Sequence, residues 1–137
     1  MKVLALDVGC KTIGIAVSDA TGKIAFGLKT LDRKNTESSI NKIRNIVEEK
    51  EVDKIVVGLP FNMDASISHQ AEDILDFVKK LKKRIKPDII TYDERLTSVQ
   101  AEKMLIKAGI SRKKRRKKID KIAAQLILQN YLDNENN

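Results

Sequence analysis

Short uninterrupted apolar runs alternate along this chain with stretches in which an aliphatic residue returns every three or four positions. Leu4 to Asp19 reads as two short apolar strands joined by a polar, glycine-bearing turn, with Asp7 and Asp19 closing the two strands. Val3 to Leu6 is too apolar for a half-exposed strand, which predicts a central strand covered on both faces and ended by Asp7. Ala20-Thr21-Gly22-Lys23 predicts a hairpin turn, and Ile24 to Leu31 a third strand antiparallel to the second. Thr36 is the expected N-cap of an amphipathic helix carrying Ile40, Ile43, Ile46 and Val47. Val52 to Gly58 predicts a fourth strand, stopped at Leu59-Pro60. A second helix is marked by Ala71, Ile74, Val78, Leu81 and Ile85 and ended by Pro87. Asp88 to Tyr92 is a fifth strand that delivers Asp93-Glu94-Arg95 to its end. Thr97 to Gln100 has the pattern of a capping box for a further helix closed by Gly109. The last helix is expected from about Ile119 to Tyr131, followed by a frayed polar tail from Asp133 to Asn137.

The resulting order, βββαβαβαα, predicts an α/β fold: a five-stranded mixed sheet with helices on both faces and the later strands parallel to the first. In such sheets ligands lie outside the carboxyl ends of the parallel strands, the rim where Asp7, Gly58-Leu59-Pro60 and Glu94 gather. At 137 residues the chain is expected to form one domain, residues 1–137. Aromatics make up only 4%, which leaves no platform for stacking several bases. Cys10 and His69, each the sole residue of its kind, exclude an internal disulfide and a structural zinc site, so a metal would need oxygen ligands. No apolar run approaches the roughly 20 residues of a membrane span and the N-terminus lacks a signal-peptide layout, so a cytoplasmic protein is expected. The formal net charge is +8, of which Arg112, Lys113, Lys114, Arg115, Arg116, Lys117 and Lys118 supply +7, leaving +1 elsewhere. That run predicts a local docking surface for a polyanion.

The acids then decide the chemistry. A carboxylate buried at Asp7 needs a cation, either Lys11 or a metal ion, unless it merely caps the turn through the backbone of Gly9. On the last helix Asp120 falls within the apolar arc of Ile119, Ala123, Ala124, Ile127 and Tyr131, with Lys121, Gln125 and Gln129 opposite. Ala123 and Ala124 allow a close approach to the sheet, which carries Asp120 toward the strands; a first-turn carboxylate answering the helix dipole is the alternative. Asp7, Glu94 and Asp120 therefore converge by expectation. Hard oxygen ligands on a partly hydrated site suit magnesium or manganese, and beside a basic run they suit phosphodiester hydrolysis of nucleic acid.

Four segments carry a resemblance: Leu6 to Asp19, Val57-Gly58-Leu59-Pro60 with Asn62-Met63-Asp64, Asp93 to Ser98, and Asp120 to Ala124. Over nearly its whole length the chain resembles the YqgF or RuvX family of Holliday-junction-resolvase-like proteins. That resemblance implies a ribonuclease H-like fold, a pre-16S rRNA nuclease activity, and Asp7, Glu94 and Asp120 as metal-binding acids. Two positions depart from the family pattern: Thr12 stands where a second basic residue is common, leaving phosphate contact by this turn to Lys11, and Ala65 stands where glycine is usual. Asn62 and Ser66 are candidate backbone contacts or ordinary loop residues. Arg95 either reaches a phosphate or holds Glu94, His69 is expected to be solvated, and Cys10 a bystander.

Three functions are consistent with these residues. The first is a Mg²⁺- or Mn²⁺-dependent endonuclease acting on precursor RNA or branched DNA, as monomer or homodimer. The second is a non-catalytic RNA-binding ribosome-maturation factor. The third, an actin-like phosphotransferase, needs two domains closing over a nucleotide and is disfavoured by length.

Overall fold

In a computed structural model, the structure describes residues 1–60, 69–93, 107 and 112–135, and of 112–121 it describes the backbone. Asn62, Ala65, Ser66, Glu94, Arg95 and the helix expected over Thr97 to Gly109, apart from a helical Lys107, lie outside the described residues.

Five strands, β1 (Val3–Val8), β2 (Thr12–Ser18), β3 (Ala25–Asp32), β4 (Lys54–Leu59) and β5 (Asp88–Asp93), form one sheet in the order β3-β2-β1-β4-β5. The central β1 pairs antiparallel with β2 and parallel with β4; β3 is antiparallel to β2 and β5 parallel to β4. The helices whose bounds lie among the described residues are α1 (Thr36–Lys50), α2 (His69–Lys82) and α3 (Arg112–Glu135). The predicted strand order along the chain is borne out. Strand ends move by a residue or two, and β1 continues one residue past Asp7.

Alternation along the strands sorts side chains onto two faces. Leu4, Leu6 and Val8 of β1 join Ile13, Ile15, Ile55 and Val57 beneath α1 and α2, in a core that includes Ile40, Ile43, Ile74 and Phe77. Val3, Ala5, Ala16 and Val56 lie on the other face, beneath Ala124, Ile127, Leu128, Tyr131 and Leu132 of α3. Three of the residues at that second interface are alanines with no exposed surface, Ala5, Ala16 and Ala124, so α3 packs close to the sheet.

Several local expectations are corrected. Asn35, not Thr36, caps α1: it is extended, and its side chain accepts from the Ser38 amide at 3.1 Å. The last helix begins at Arg112 rather than near Ile119 and runs through Glu135, so the whole basic run is helical and Asp133 to Glu135 are not a frayed tail. Lys and Arg are good helix formers, although seven cations oppose the positive end of the helix dipole. Gln125 and Gln129, expected away from the packed arc, instead clasp β3. Gln129 accepts from the Ala25 amide and donates to the Lys23 carbonyl, both at 2.9 Å, while Gln125 donates to the Ala25 carbonyl at 3.3 Å.

The β2–β3 hairpin is as expected, with Gly22 at φ 72°. Asp19 organises it: its carboxylate accepts from the Thr21 hydroxyl at 2.6 Å and from the Lys23 and Ile24 amides at 3.0 and 3.2 Å. These bonds, the Thr21 hydroxyl first, hold its pKa down at about 2. Among the described residues no helix is long and apolar enough to cross a membrane.

Candidate active site

Asp7 shares the odd-numbered face of β1 with Val3 and Ala5, so the strand's two-residue period aims its carboxylate at the side covered by α3. It is 8% exposed. Gly14 of β2 is its direct antiparallel partner. On the other flank, Leu6 pairs with Val57, so Gly58 stands one step further along, level with Asp7 and on the same face as Val56. Both neighbours lack a side chain on that face, and the carboxylate rises between two bare backbone positions. A glycine-flanked acid of this kind is where a ligand or a second backbone can come close. The sequence contains Gly14 and Gly58 but not their register with Asp7, which only the sheet pairing supplies.

The β1–β2 turn beside Asp7 is closed by a bond from the Gly9 amide to the Thr12 carbonyl at 2.8 Å. A Cβ at Gly9 would meet that carbonyl at 3.0 Å, which accounts for glycine there. Lys11 is exposed at the tip.

Arg33, which sequence reasoning missed, fixes this turn. Its amide donates to the Lys11 carbonyl at 2.8 Å and its Nη1 to the Gly9 carbonyl at 2.8 Å. The same guanidinium grips Asp73 of α2 with bonds of 2.7 and 3.2 Å and lies 5.1 Å from the ring centroid of Phe77. Only 10% of the Arg33 side chain is exposed. Its hydrogen bond to Asp73 is the largest cause of the lowered pKa of that carboxyl. No periodicity marks Arg33, because it lies in the polar link after β3. A recess of about 430 Å³ opens beside the turn, bordered by Lys11, Arg33 and Lys34.

Asp120 lies in α3, three and four residues before Ala123 and Ala124, which are both fully buried. Glu94 directly follows β5 and is outside the described residues, as are Asn62 and Arg95. Arg112 to Lys118 form the first two turns of α3. His69 is fully exposed beside Glu72, and Cys10 is an exposed thiol, as expected of a solvated histidine and a bystander. Among the described residues no three Asp, Glu, His or Cys side chains cluster as metal ligands.

The model of the RuvX family, described as Holliday junction resolvase, matches residues 1–134. A protein of Thermoanaerobacter pseudethanolicus named "Putative pre-16S rRNA nuclease" is 49% identical over 138 residues, covering 100% of this chain and 99% of its own. A protein of the same name from Clostridium tetani is 50% identical over 133 residues, covering 97% and 96%. Among solved structures, the fold is similar to T. thermophilus RuvC in complex with Holliday junction substrate, with TM-score 0.62, 12% identity and coverage of 98% and 95%. It is also similar to Fowlpox virus resolvase with substrate Holliday junction DNA, with TM-score 0.61, 13% identity and coverage of 98% and 99%. These two likenesses agree with the expected ribonuclease H-like fold. With the family pattern matched from the first residue to the last helix, and relatives near half identity over essentially their full length, this chain belongs to the RuvX family.

Proposed function

We propose that this protein is a divalent-metal-dependent endonuclease that hydrolyses phosphodiester bonds of pre-16S rRNA, in the cytoplasm where ribosomes mature, with four-way junction DNA as the competing substrate. The observation that carries the reading is Asp7: a buried acid on the α3 face, flanked by Gly14 and Gly58 at the carboxyl rim of the sheet. The donor set fits a hard cation, since Asp7, Glu94 and Asp120 offer oxygen ligands alone. Bound there, magnesium or manganese would supply an activated water and charge stabilisation for the phosphate.

The chain's own residues bind and orient. Asp7 is held on a rigid central strand. Glu94 directly follows β5, whose Ile90 and Tyr92 pack on the α3 side. Asp120 precedes the alanines that seat α3 on the sheet. Lys11, held in place through its carbonyl by Arg33, contacts substrate phosphate, with Asn62 and Arg95 as further contacts. Arg112, Lys113, Lys114, Arg115, Arg116, Lys117 and Lys118 hold the polyanion; seven cations opening a helix repel one another and the dipole, and phosphate relieves both.

The test compares wild type with Asp7→Asn, Glu94→Gln and Asp120→Asn on precursor rRNA and on junction DNA, with manganese or magnesium. Each variant is expected to lose more than roughly 100-fold in cleavage, beyond what changes behind a ligand typically cost. Equal cutting by all four proteins would sink the assignment. The basic start of α3 also favours a second reading, an RNA-binding maturation factor that does not cut. Salt-sensitive binding without cleavage by the wild type would select it.

A further inference from the structure

Six of the eight residues from Lys79 to Lys86 are basic, a second cationic cluster hidden in a sum that leaves only +1 outside the α3 run. Arg84 is committed to Glu37 and Asn41 of α1. Lys79, Lys80, Lys82, Lys83 and Lys86 are exposed, and among the described residues no carboxylate pairs with them. One or two lysines in the last turn would answer the dipole of α2, but the cluster continues past the helix end at Lys82.

The lysines also line a surface with a shape. Between α2 and β5 runs a groove of about 550 Å³ with Lys79 and Lys82 on its lip. A second groove of about 510 Å³ shares Lys82 and adds Lys86, Lys54 and one carboxylate, Asp88, which leaves it cationic by three charges to one. Ile89 and Ile90 border both, so the two adjoin at β5. Lys79 and Lys82 are one helical turn apart, about 5–6 Å between neighbouring side chains, and Lys86, past the helix end, borders the second groove together with Lys82. Lys54, tied to the Tyr131 hydroxyl at 2.6 Å, has a raised pKa and remains a cation.

The site lies away from the rim. Asp73 of α2 is bound through Arg33 to the turn beside Asp7, and Lys82 is nine residues further along the helix, roughly 14 Å at 1.5 Å per residue. Lys86 precedes β5, whose far end carries Asp93 toward the rim.

We propose that this lysine-lined groove binds the phosphate backbone of the substrate RNA at a distance from the scissile bond, as a sequence-independent anchor; the inference rests on the nuclease reading for its partner. Phosphate is the ligand the charge selects. A lipid surface is disfavoured because the exposed large apolar residues of the described chain, Met1, Ile24 and Phe26, line neither groove. No aromatic residue lines either groove, so bases are not stacked.

The experiment titrates full-length protein against a long duplex RNA and against a short RNA that covers the rim alone, across a salt series. Wild type is compared with the triple variant Lys79→Gln/Lys82→Gln/Lys86→Gln and, as a milder change, with Lys82→Gln. The salt slope of the triple variant on the long duplex is expected to fall by about 2–3, near one per lost phosphate contact, with binding to the short RNA unchanged. An unchanged slope on the long duplex overturns the proposal, as does equal loss on both RNAs, and so does a groove that captures an acidic protein while RNA binding is unaffected. Wild-type protein that binds RNA but never cuts it removes the nuclease reading and leaves this anchor standing.

Discussion

The two faces of the sheet are built from different residues, and the difference lies in the side-chain volume that surrounds the central strand. Beneath α1 and α2 the strands present leucine, isoleucine and valine, and the helices answer with Ile40, Ile43, Ile74, Phe77 and Leu81. Bulky aliphatic packing of this kind fills volume. Beneath α3 the same strands present Ala5, Ala16, Gly14 and Gly58 around one buried acid. That face gives up side-chain volume near Asp7, and with it some packing energy. A bulky face and a small-residue face share one central strand.

The contrast can be tested first on the bulky face. Phe77→Ala should cost about 3–5 kcal/mol in urea unfolding, since Phe77 is 2% exposed and also carries the Arg33 guanidinium. A loss below 1 kcal/mol, by rough reckoning, would mean that the helices there can collapse onto the gap. Arg33→Leu comes next. It removes charge-assisted bonds to Gly9 and Asp73, worth about 1.5–3 kcal/mol, and should lower cleavage as well by releasing the turn that carries Lys11. NMR titration of the variant should find the Asp73 carboxyl moved back up toward its ordinary value. Arg33→Lys is not expected to rescue, because an ammonium cannot span both partners in a fork.

On the small-residue face the balance reverses. Gly58→Val should cost only about 1–3 kcal/mol in stability but lower cleavage by about 100-fold, as a misplacement of roughly 1 Å does. Unaltered cleavage would mean that the space beside Asp7 is not used. The smallest effect lies at the hairpin below α3. The hydrogen bonds to Asp19 hold its carboxyl pKa at about 2 in the folded protein, below its ordinary 3.8. Folded protein therefore binds fewer protons there, and the stabilisation, present above pH 3.8, is lost as pH falls through about 2. Asp19→Asn should flatten the acid limb of the unfolding curve across that window and leave neutral pH nearly untouched.

Much of the framework was legible because strands and helices bury residues at two different periods. The five strands, the aliphatic faces of α1 and α2, and Asp7 near the end of a central strand all follow from that rhythm. What escaped was set by contacts distant in sequence. Arg33 matters through Gly9 and Asp73, and neither partner can be guessed from the polar link that holds it. Gln125 and Gln129 look solvent-facing on a helical wheel, yet β3 wraps far enough for their amides to reach its backbone. The early start of α3 ran against dipole electrostatics, and helix propensity prevailed. The lysines of α2 disappeared into a whole-chain sum. Glu94 and Asp120, named from sequence, stay on the side of proposal.

A last consequence concerns β1. Greasy anchor and buried acid are interleaved there, Leu6 and Val8 facing one way and Asp7 the other, so the reading frame of the pleat decides which face carries the carboxylate. A one-residue insertion or deletion within this strand would swap the two sets at a stroke, pressing the acid into oil and turning leucine toward the ligand. Evolution can exchange individual letters in β1, but it cannot change their count.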